Sequence, residues 1–195
     1  MNEKKKIAVF ASGSGSNFEA IAKACLQNRI NADVVLCVCD HPGAYVIERA
    51  KRMDIEVLEL RPKSFASKAD YEKVILDELQ KLRVEFICLA GYMRIIGDTL
   101  LKAYPDRILN IHPSLLPSFP GVDAIGQALK YGVKVYGVTV HYVDQTLDGG
   151  KIISQAAIPY DGDNREELET MVHAREHVLY IQTLRNLIGY SDSHL

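Results

Sequence analysis

Lys6–Ala11, Asp33–Cys39, Glu56–Leu60, Glu85–Ala90 and Arg107–Ile111 are short apolar runs, and a helical stretch separates each from the next. Runs that are apolar at almost every position belong to strands buried on both faces. The separating stretches carry their apolar residues on one side only. In Asn17–Gln27 these are Phe18, Ile21, Ala22 and Cys25, and in Ala69–Leu82 they are Tyr71, Val74, Ile75, Leu79 and Leu82. Ala44–Met53 and Gly97–Ala103 are the other two helices of this region. Strand and helix in strict succession imply a parallel sheet covered on both faces.

The pattern changes after Val122–Tyr131, a further helix. Val135–Tyr142 alternates and is rich in β-branched residues, and Lys151–Ile158 does the same after a short Asp/Gly segment. This predicts an antiparallel pair at the sheet edge. Arg165–Ile188 reads as a long closing helix, N-capped by Asp163 or Asn164, with Glu166 and Glu167 at the positive end of its dipole. The expected fold is α/β and three-layered: a mostly parallel twisted sheet, helices on both faces, and an antiparallel edge pair near the C-terminus. With no internal repeat or linker-like segment, residues 1–195 read as a single domain.

A net charge of −2 gives no reason to expect nucleic acid as a partner. No run approaches membrane-spanning length, and the charged start Met1–Lys6 lacks the apolar stretch of a signal peptide. Small-molecule substrates are expected, with the chain a monomer or a homodimer. Cys25, Cys37, Cys39 and Cys88 form no C-x-x-C pair, so they read as free buried thiols of a cytoplasmic protein rather than as metal ligands.

Open parallel sheets bind ligands at the carboxyl ends of their strands, and three motifs fall there. After the first strand, Ser12-Gly13-Ser14-Gly15-Ser16-Asn17 runs into a helix. Glycines allow close backbone approach, and the helix N-terminus favours an anion, which suits a phosphate; Ser and Asn add donors and cap the helix. Phe18 stands where a dinucleotide fingerprint needs its third glycine, and Asp40, at the end of the second strand, is the one feature that favours such a cofactor. After the fourth strand comes Gly91-Tyr92-Met93-Arg94. After the fifth comes Asn110-Ile111-His112-Pro113-Ser114-Leu115-Leu116-Pro117, stiffened by prolines and continued by Ser118-Phe119-Pro120-Gly121.

A Pro-rich turn with one histidine is by itself an ordinary connection. Here an amide and an imidazole stand on alternate residues, and Asp148 follows in Leu147-Asp148-Gly149-Gly150. Together Asn110, His112 and Asp148 supply an oxyanion donor, a proton carrier and a charge to tune it, which is sufficient for acyl transfer without metal or covalent intermediate. Of the other histidines, His41 begins a turn, His194 lies in the tail, and His141 reads as structural. His173 and His177 share a helix face without a third ligand at metal spacing.

In these motifs taken together, the chain resembles the phosphoribosylglycinamide formyltransferases, folate-dependent enzymes of purine biosynthesis. The resemblance runs from about Lys6 to His177. It is carried by Ser12–Asn17, Ala90–Ile96, Asn110–Gly121, Gly137–Val143, Leu147–Gly150 and Glu176-His177. It implies that Gly15, Ser16 and Asn17 bind the substrate phosphate, with Glu176 near the substrate. It also implies that Met93, Arg94, Ile95 and Ile96 line the pocket for the cosubstrate 10-formyltetrahydrofolate, opposite Val143 and Asp144. Asn110 serves both cosubstrate and catalysis. Lys68 stands where the family places an arginine and keeps its charge, and no metal is implied. Lys151, Tyr136 and Asp163-Asn164-Arg165 depart from the usual pattern, away from the catalytic trio. Relatives that formylate methionyl-tRNA or hydrolyse the formyl folate normally carry an extra domain, for which this length and the early first strand are expected to leave no room. A hydrolase-like enzyme and a non-catalytic folate- or nucleotide-binding module remain as alternatives.

Overall fold

The computed structural model describes residues 3–189. Its strands are β1 (Lys5–Ala11), β2 (Ala32–Cys39), β3 (Val57–Glu59), β4 (Phe86–Leu89), β5 (Ile108–His112), β6 (Val135–Tyr142) and β7 (Ile152–Pro159). Its helices are α1 (Ser16–Leu26), α2 (Tyr45–Arg52), α3 (Lys68–Lys81), α4 (Asp98–Ala103), α5 (Ala124–Tyr131) and α6 (Arg165–Ile188), with one 3-10 turn at Pro62–Ser64. They build a seven-stranded sheet in the order β3-β2-β1-β4-β5-β6-β7. The strands from β3 to β5 are parallel neighbours, and β6 runs antiparallel to both β5 and β7. Only β6 is therefore reversed, and β7 returns to the common direction.

Successive side chains of a strand point to opposite faces, so each apolar run feeds two cores. Ile7, Val9 and Ala11 of β1 join Cys37 and Cys39, Cys88 and Leu109 under α1, α2, α5 and α6. Ala8 and Phe10 join Leu36 and Val38, Ile87 and Ile108 under α3 and α4. This is the three-layer arrangement expected. Tyr180 of α6 is fully buried and ties that layer to the sheet, its hydroxyl lying 3.1 Å from the carbonyl oxygens of both Leu89 and Leu109.

All four cysteines are free and buried, as read. Burial raises the Cys25 and Cys37 thiols to about 12, so neither is a thiolate near neutrality. No helix among the described residues is long and apolar enough to cross a membrane. His194 lies outside the described residues.

Several local readings are corrected. The buried arc of α3 is Tyr71, Glu72, Ile75 and Leu79, while Val74 is 40% exposed. At 100° per residue Val74 lies about a third of a turn from the centre of that arc, and Glu72 faces inward because its Oε1 accepts the amide of Gly97 (2.6 Å). This helix starts at Lys68 behind Ser67, whose Oγ accepts the amide of Asp70 (3.1 Å). Helix α5 begins at Ala124 rather than Val122, which is 91% exposed. Asn164, not Asp163, caps α6 by accepting from the Glu167 amide (3.1 Å).

Candidate active site

Strand β5 extends one residue further than the apolar run suggested and ends on His112. Asn110 and His112 therefore lie on a regular strand, two residues apart, and leave the same face. In the register with β6, Asn110 is directly opposite His141 and His112 opposite Thr139. The amide and the imidazole thus stand on a four-residue platform, and the loop begins after it.

His112 is 5% exposed. Its Nε2 lies 2.8 Å from the carbonyl oxygen of Phe119, and its Nδ1 lies 3.5 Å from Oδ2 of Asp148. The same Oδ2 accepts the Gly121 amide at 2.8 Å. Both ring nitrogens thus face acceptors, an arrangement that suits the doubly protonated ring. Phe119 and Asp148 hold positive φ values of 52° and 49°. An L-residue in that region costs about 1–2 kcal/mol. Here the strain aims a carbonyl and a carboxylate at one imidazole.

His141, read as structural, belongs to this site. Its Nδ1–H donates to the Tyr142 carbonyl (2.8 Å), which leaves a lone pair on Nε2 to accept from Asn110 Nδ2 at 3.2 Å. Burial lowers its pKa below the ordinary histidine value, which keeps the ring neutral and the lone pair available. A neutral Nε2 accepts but does not donate, so it fixes which end of the Asn110 amide faces it. The second N–H of Asn110 remains for a ligand. Asp148 Oδ1 lies 3.8 Å from the same Nε2.

The prolines do not stiffen the loop alone. Thr139 is fully buried, and its hydroxyl donates to the Ser114 carbonyl (2.7 Å) while accepting from the Leu116 amide (3.1 Å) and Gln155 Nε2 (2.9 Å). The Leu116–Pro117 peptide is cis. Sequence reading missed Thr139, Gln155 and His141 because their roles depend on the β5–β6 and β6–β7 registers. The alternation of Thr139 with His141 was the signal available.

At the first rim motif, Gly15 (φ 76°) is the N-cap of α1, and no side chain caps that helix, contrary to expectation. The first intrahelical bond runs from the Glu19 amide to the Gly15 carbonyl (2.9 Å), so the preceding amides are unspent at the helix end. Helix α2 holds the loop from behind. The Val46 amide donates to the Gly13 carbonyl (3.1 Å), and Arg49 Nε donates to the Ser14 carbonyl (2.9 Å). Ser16 is half-buried on the outer side.

Asn17 instead donates its Nδ2–H to Oε2 of Glu176 (2.9 Å), across to α6. His173 Nδ1 lies 3.1 Å from the same oxygen, and that hydrogen bond raises the pKa of His173. Asn17 Oδ1 and His177 Nε2 are buried without a hydrogen-bond partner in the protein. Buried orphan polar atoms beside unspent helix amides are what a site built for a polar ligand leaves in its absence.

The Gly91–Gly97 segment follows β4. Met93 and Ile95 are 81% and 68% exposed, whereas Ile96 turns into the α3/α4 core. Arg94 Nε donates to Asp40 Oδ2 (2.7 Å), and the Met93 amide donates to Ser12 Oγ (2.9 Å). Lys68, exposed at the start of α3, passes over Gly97, where a Cβ would lie 2.9 Å from its Cε. Val143 is half-buried against the α3/α4 core. Asp144 is exposed, and hydrogen bonds from Thr146 hold its carboxyl below the usual range.

A model of the formyl transferase domain matches residues 5–184. The chain belongs to the formyl transferase family. Phosphoribosylglycinamide formyltransferase of Bacillus subtilis (strain 168) is 52% identical over 189 residues, 96% of this chain and 97% of that protein. Among solved structures, glycinamide ribonucleotide transformylase 1 from Geobacillus kaustophilus matches with a TM-score of 0.93 at 53% identity, covering 95% of this chain and 100% of that one. Phosphoribosylglycinamide formyltransferase from Bacillus halodurans matches at 0.92 and 48%, with 97% of each chain covered. In this formyl transferase, Asn110, His112, His141 and Asp148 form one cluster. Ser12–Asn17 and Met93–Ile96 adjoin each other through the Ser12–Met93 bond.

Proposed function

We propose that this formyl transferase moves the formyl group of 10-formyltetrahydrofolate onto the glycyl amine of phosphoribosylglycinamide, in purine biosynthesis. The observation that carries the reading is the convergence of half-buried Asn110 and Asp148 with buried His112, linked through His141, in a chain that shares most of its length with proteins named for that reaction. The acceptor's phosphate would take the unspent amides at Gly15, Ser16 and Asn17, with Asn17 and Glu176 meeting its sugar or amide. The folate would lie along Met93–Ile96, between Lys68 and the Val143–Asp144 segment, its flat ring reading backbone groups. The four free thiols suit a reducing compartment, and the reading places the reaction in the cytoplasm.

The chemistry follows from these groups. The neutral glycyl amine attacks the formyl carbon and forms a C–N bond, which moves an electron pair onto the carbonyl oxygen. The free N–H of Asn110 and protonated His112 stabilise that oxyanion. Asp148, 3.5 Å from the ring, places a carboxylate beside the imidazole of His112. A proton leaves the attacking nitrogen and reaches the folate nitrogen through a water molecule, since both ring nitrogens of His112 face protein acceptors; the bond to that nitrogen breaks, and tetrahydrofolate departs.

The test is formyl transfer followed by folate absorbance, with and without phosphoribosylglycinamide. Acceptor-dependent turnover is expected. Folate consumption at an equal rate without acceptor would make the protein a hydrolase. Folate binding without turnover would make it a binding module.

A further inference from the structure

Asp40 closes β2 and is 8% exposed, a buried carboxylate that the chemistry above does not use. As a strand-end acid it resembles the residue that reads a ribose in dinucleotide enzymes, but both of its oxygens are engaged within the protein. Ser12 Oγ donates to Oδ1 (2.5 Å), and Arg94 Nε donates to Oδ2 (2.7 Å). Ser12 Oγ accepts in turn from the Met93 amide (2.9 Å), and the Ser12 amide donates to the Gly91 carbonyl (3.1 Å). Asp40, Ser12, Met93 and Arg94 therefore form a closed hydrogen-bonded ring, since Met93 and Arg94 are covalent neighbours. The ring joins the ends of β1, β2 and β4.

We infer that Asp40 is a positioning residue for the folate segment, fixing the backbone of Met93 and Arg94 through Ser12 and the Arg94 guanidinium. The inference rests on the proposed function, because it is the folate that this segment would hold. Tyr92 and Ile96 anchor the two ends of the segment in the α3/α4 core, but Met93 and Ile95 between them are largely exposed, so the constraint on Met93 and Arg94 comes from the ring. Ser12 is shared by the ring and the phosphate loop, but the loop beyond Ser12 has restraints of its own. Its Gly13 and Ser14 carbonyls are held from α2 by the Val46 amide and Arg49. Loss of the Asp40 carboxylate should loosen one substrate segment and leave the other in place. In Asp40→Asn, one acceptor oxygen becomes a donor NH2, and the shape is kept. Either Ser12 or Arg94 then meets a donor in place of its acceptor.

The experiment is calorimetric titration of the full chain with tetrahydrofolate, beside the KM for phosphoribosylglycinamide, in wild type, Asp40→Asn, Arg94→Met and the double variant. Arg94→Met provides a variant in which the buried acid is intact. Each single variant is expected to weaken tetrahydrofolate binding about tenfold, the scale of one hydrogen bond to a charged group. The double variant should be little worse than either single one, because both break the same ring, and the KM for the phosphorylated acceptor should stay within about twofold. Wild-type folate affinity in Arg94→Met, or equal weakening for both substrates in Asp40→Asn, would overturn the inference. Wild-type protein that binds no tetrahydrofolate at all would defeat the proposed function instead.

Discussion

Asp148→Asn isolates the charge of the catalytic cluster with little change of shape. The amide oxygen can still accept from the Gly121 amide, the bond that now holds Oδ2 at 2.8 Å, so the turn keeps its anchor. What is lost is the attraction between the carboxylate and protonated His112 across 3.5 Å. Coulomb's law gives about 1.2 kcal/mol for that separation in bulk water and about 4.7 kcal/mol at an effective dielectric of about 20. These correspond to roughly tenfold and roughly three-thousandfold in rate. The side chains are 6% and 11% exposed, so screening by solvent is weak and the upper part of the range applies. The expected loss in kcat is therefore about 10²–10³. KM for phosphoribosylglycinamide should be nearly unchanged, since the phosphate loop does not touch this residue. The assay is formyl transfer followed by folate absorbance, on protein whose melting temperature matches wild type. A folded variant with kcat within about threefold of wild type would show that the charge of Asp148 plays no part in stabilising the imidazolium.

His141→Phe removes the acceptor that aims the Asn110 amide and is expected to lower kcat about tenfold; an unchanged kcat would remove His141 from the site. Its pKa is depressed from 6.5 by burial, so as pH falls the unfolded chain takes up this proton first. The stability it contributes is complete above about pH 6.5 and is lost as pH falls towards the folded value, which thermal melts of wild type and variant across that window would read. Gly15→Ala puts a Cβ within 3.0 Å of Val46 at a φ of 76°, and should raise the KM for phosphoribosylglycinamide at least about tenfold with kcat less affected. A wild-type KM would mean that the loop does not bind the phosphate. Gly150→Ala drives a Cβ into the Tyr142 carbonyl, so the turn must open. Its kcat should fall about as far as that of Asp148→Asn, and steady-state kinetics showing a milder loss would separate the turn's closure from the placement of the acid.

The fold was legible because β1, β4, β5 and the second half of β2 are buried on both faces and announce themselves without knowledge of their neighbours. The α3 arc was less so. Val74 looks like core by residue type, and nothing local in the sequence reveals that Glu72 faces inward to meet the Gly97 amide. The proximity of Asn110, His112 and Asp148, the proposed catalytic trio, could be anticipated because all three stand in short motifs near strand ends. The roles of His141 and Thr139 were not legible, since they come from a pairing between β5 and β6 that a long connection separates. Hydrophobic patterning shows that β6 is a strand. It does not reveal that Asn110 faces His141 rather than a residue two places along. Asp40 stood out in the sequence only as a strand-end acid, because its partners Ser12 and Arg94 come from distant segments.

The single reversed strand explains why the carboxylate comes from a turn and not from a strand end. Strand β6 leaves the sheet at the level of Ile108, where the Val143 amide donates to the Ile108 carbonyl (2.9 Å). Asp148 nonetheless lies beside His112, four residues further along β5 and roughly 13 Å away at the rise of a strand. The segment from Val143 must therefore double back along β5 before β7 begins at Ile152. It closes at Gly150, which sits against the Tyr142 carbonyl where no side chain fits. A tight closure leaves the residues before it to make the excursion, and the left-handed backbone of Asp148 bends the chain at that point. The Gly121 amide then fixes the carboxylate from the Pro-rich loop. Asp148 is thus held by two segments, the turn and the loop, and His112 lies between the carboxylate and the Phe119 carbonyl of that same loop. Any motion that separates turn from loop removes the ring's acidic partner, so the geometry that places the acid also makes the chemistry depend on those two segments staying together.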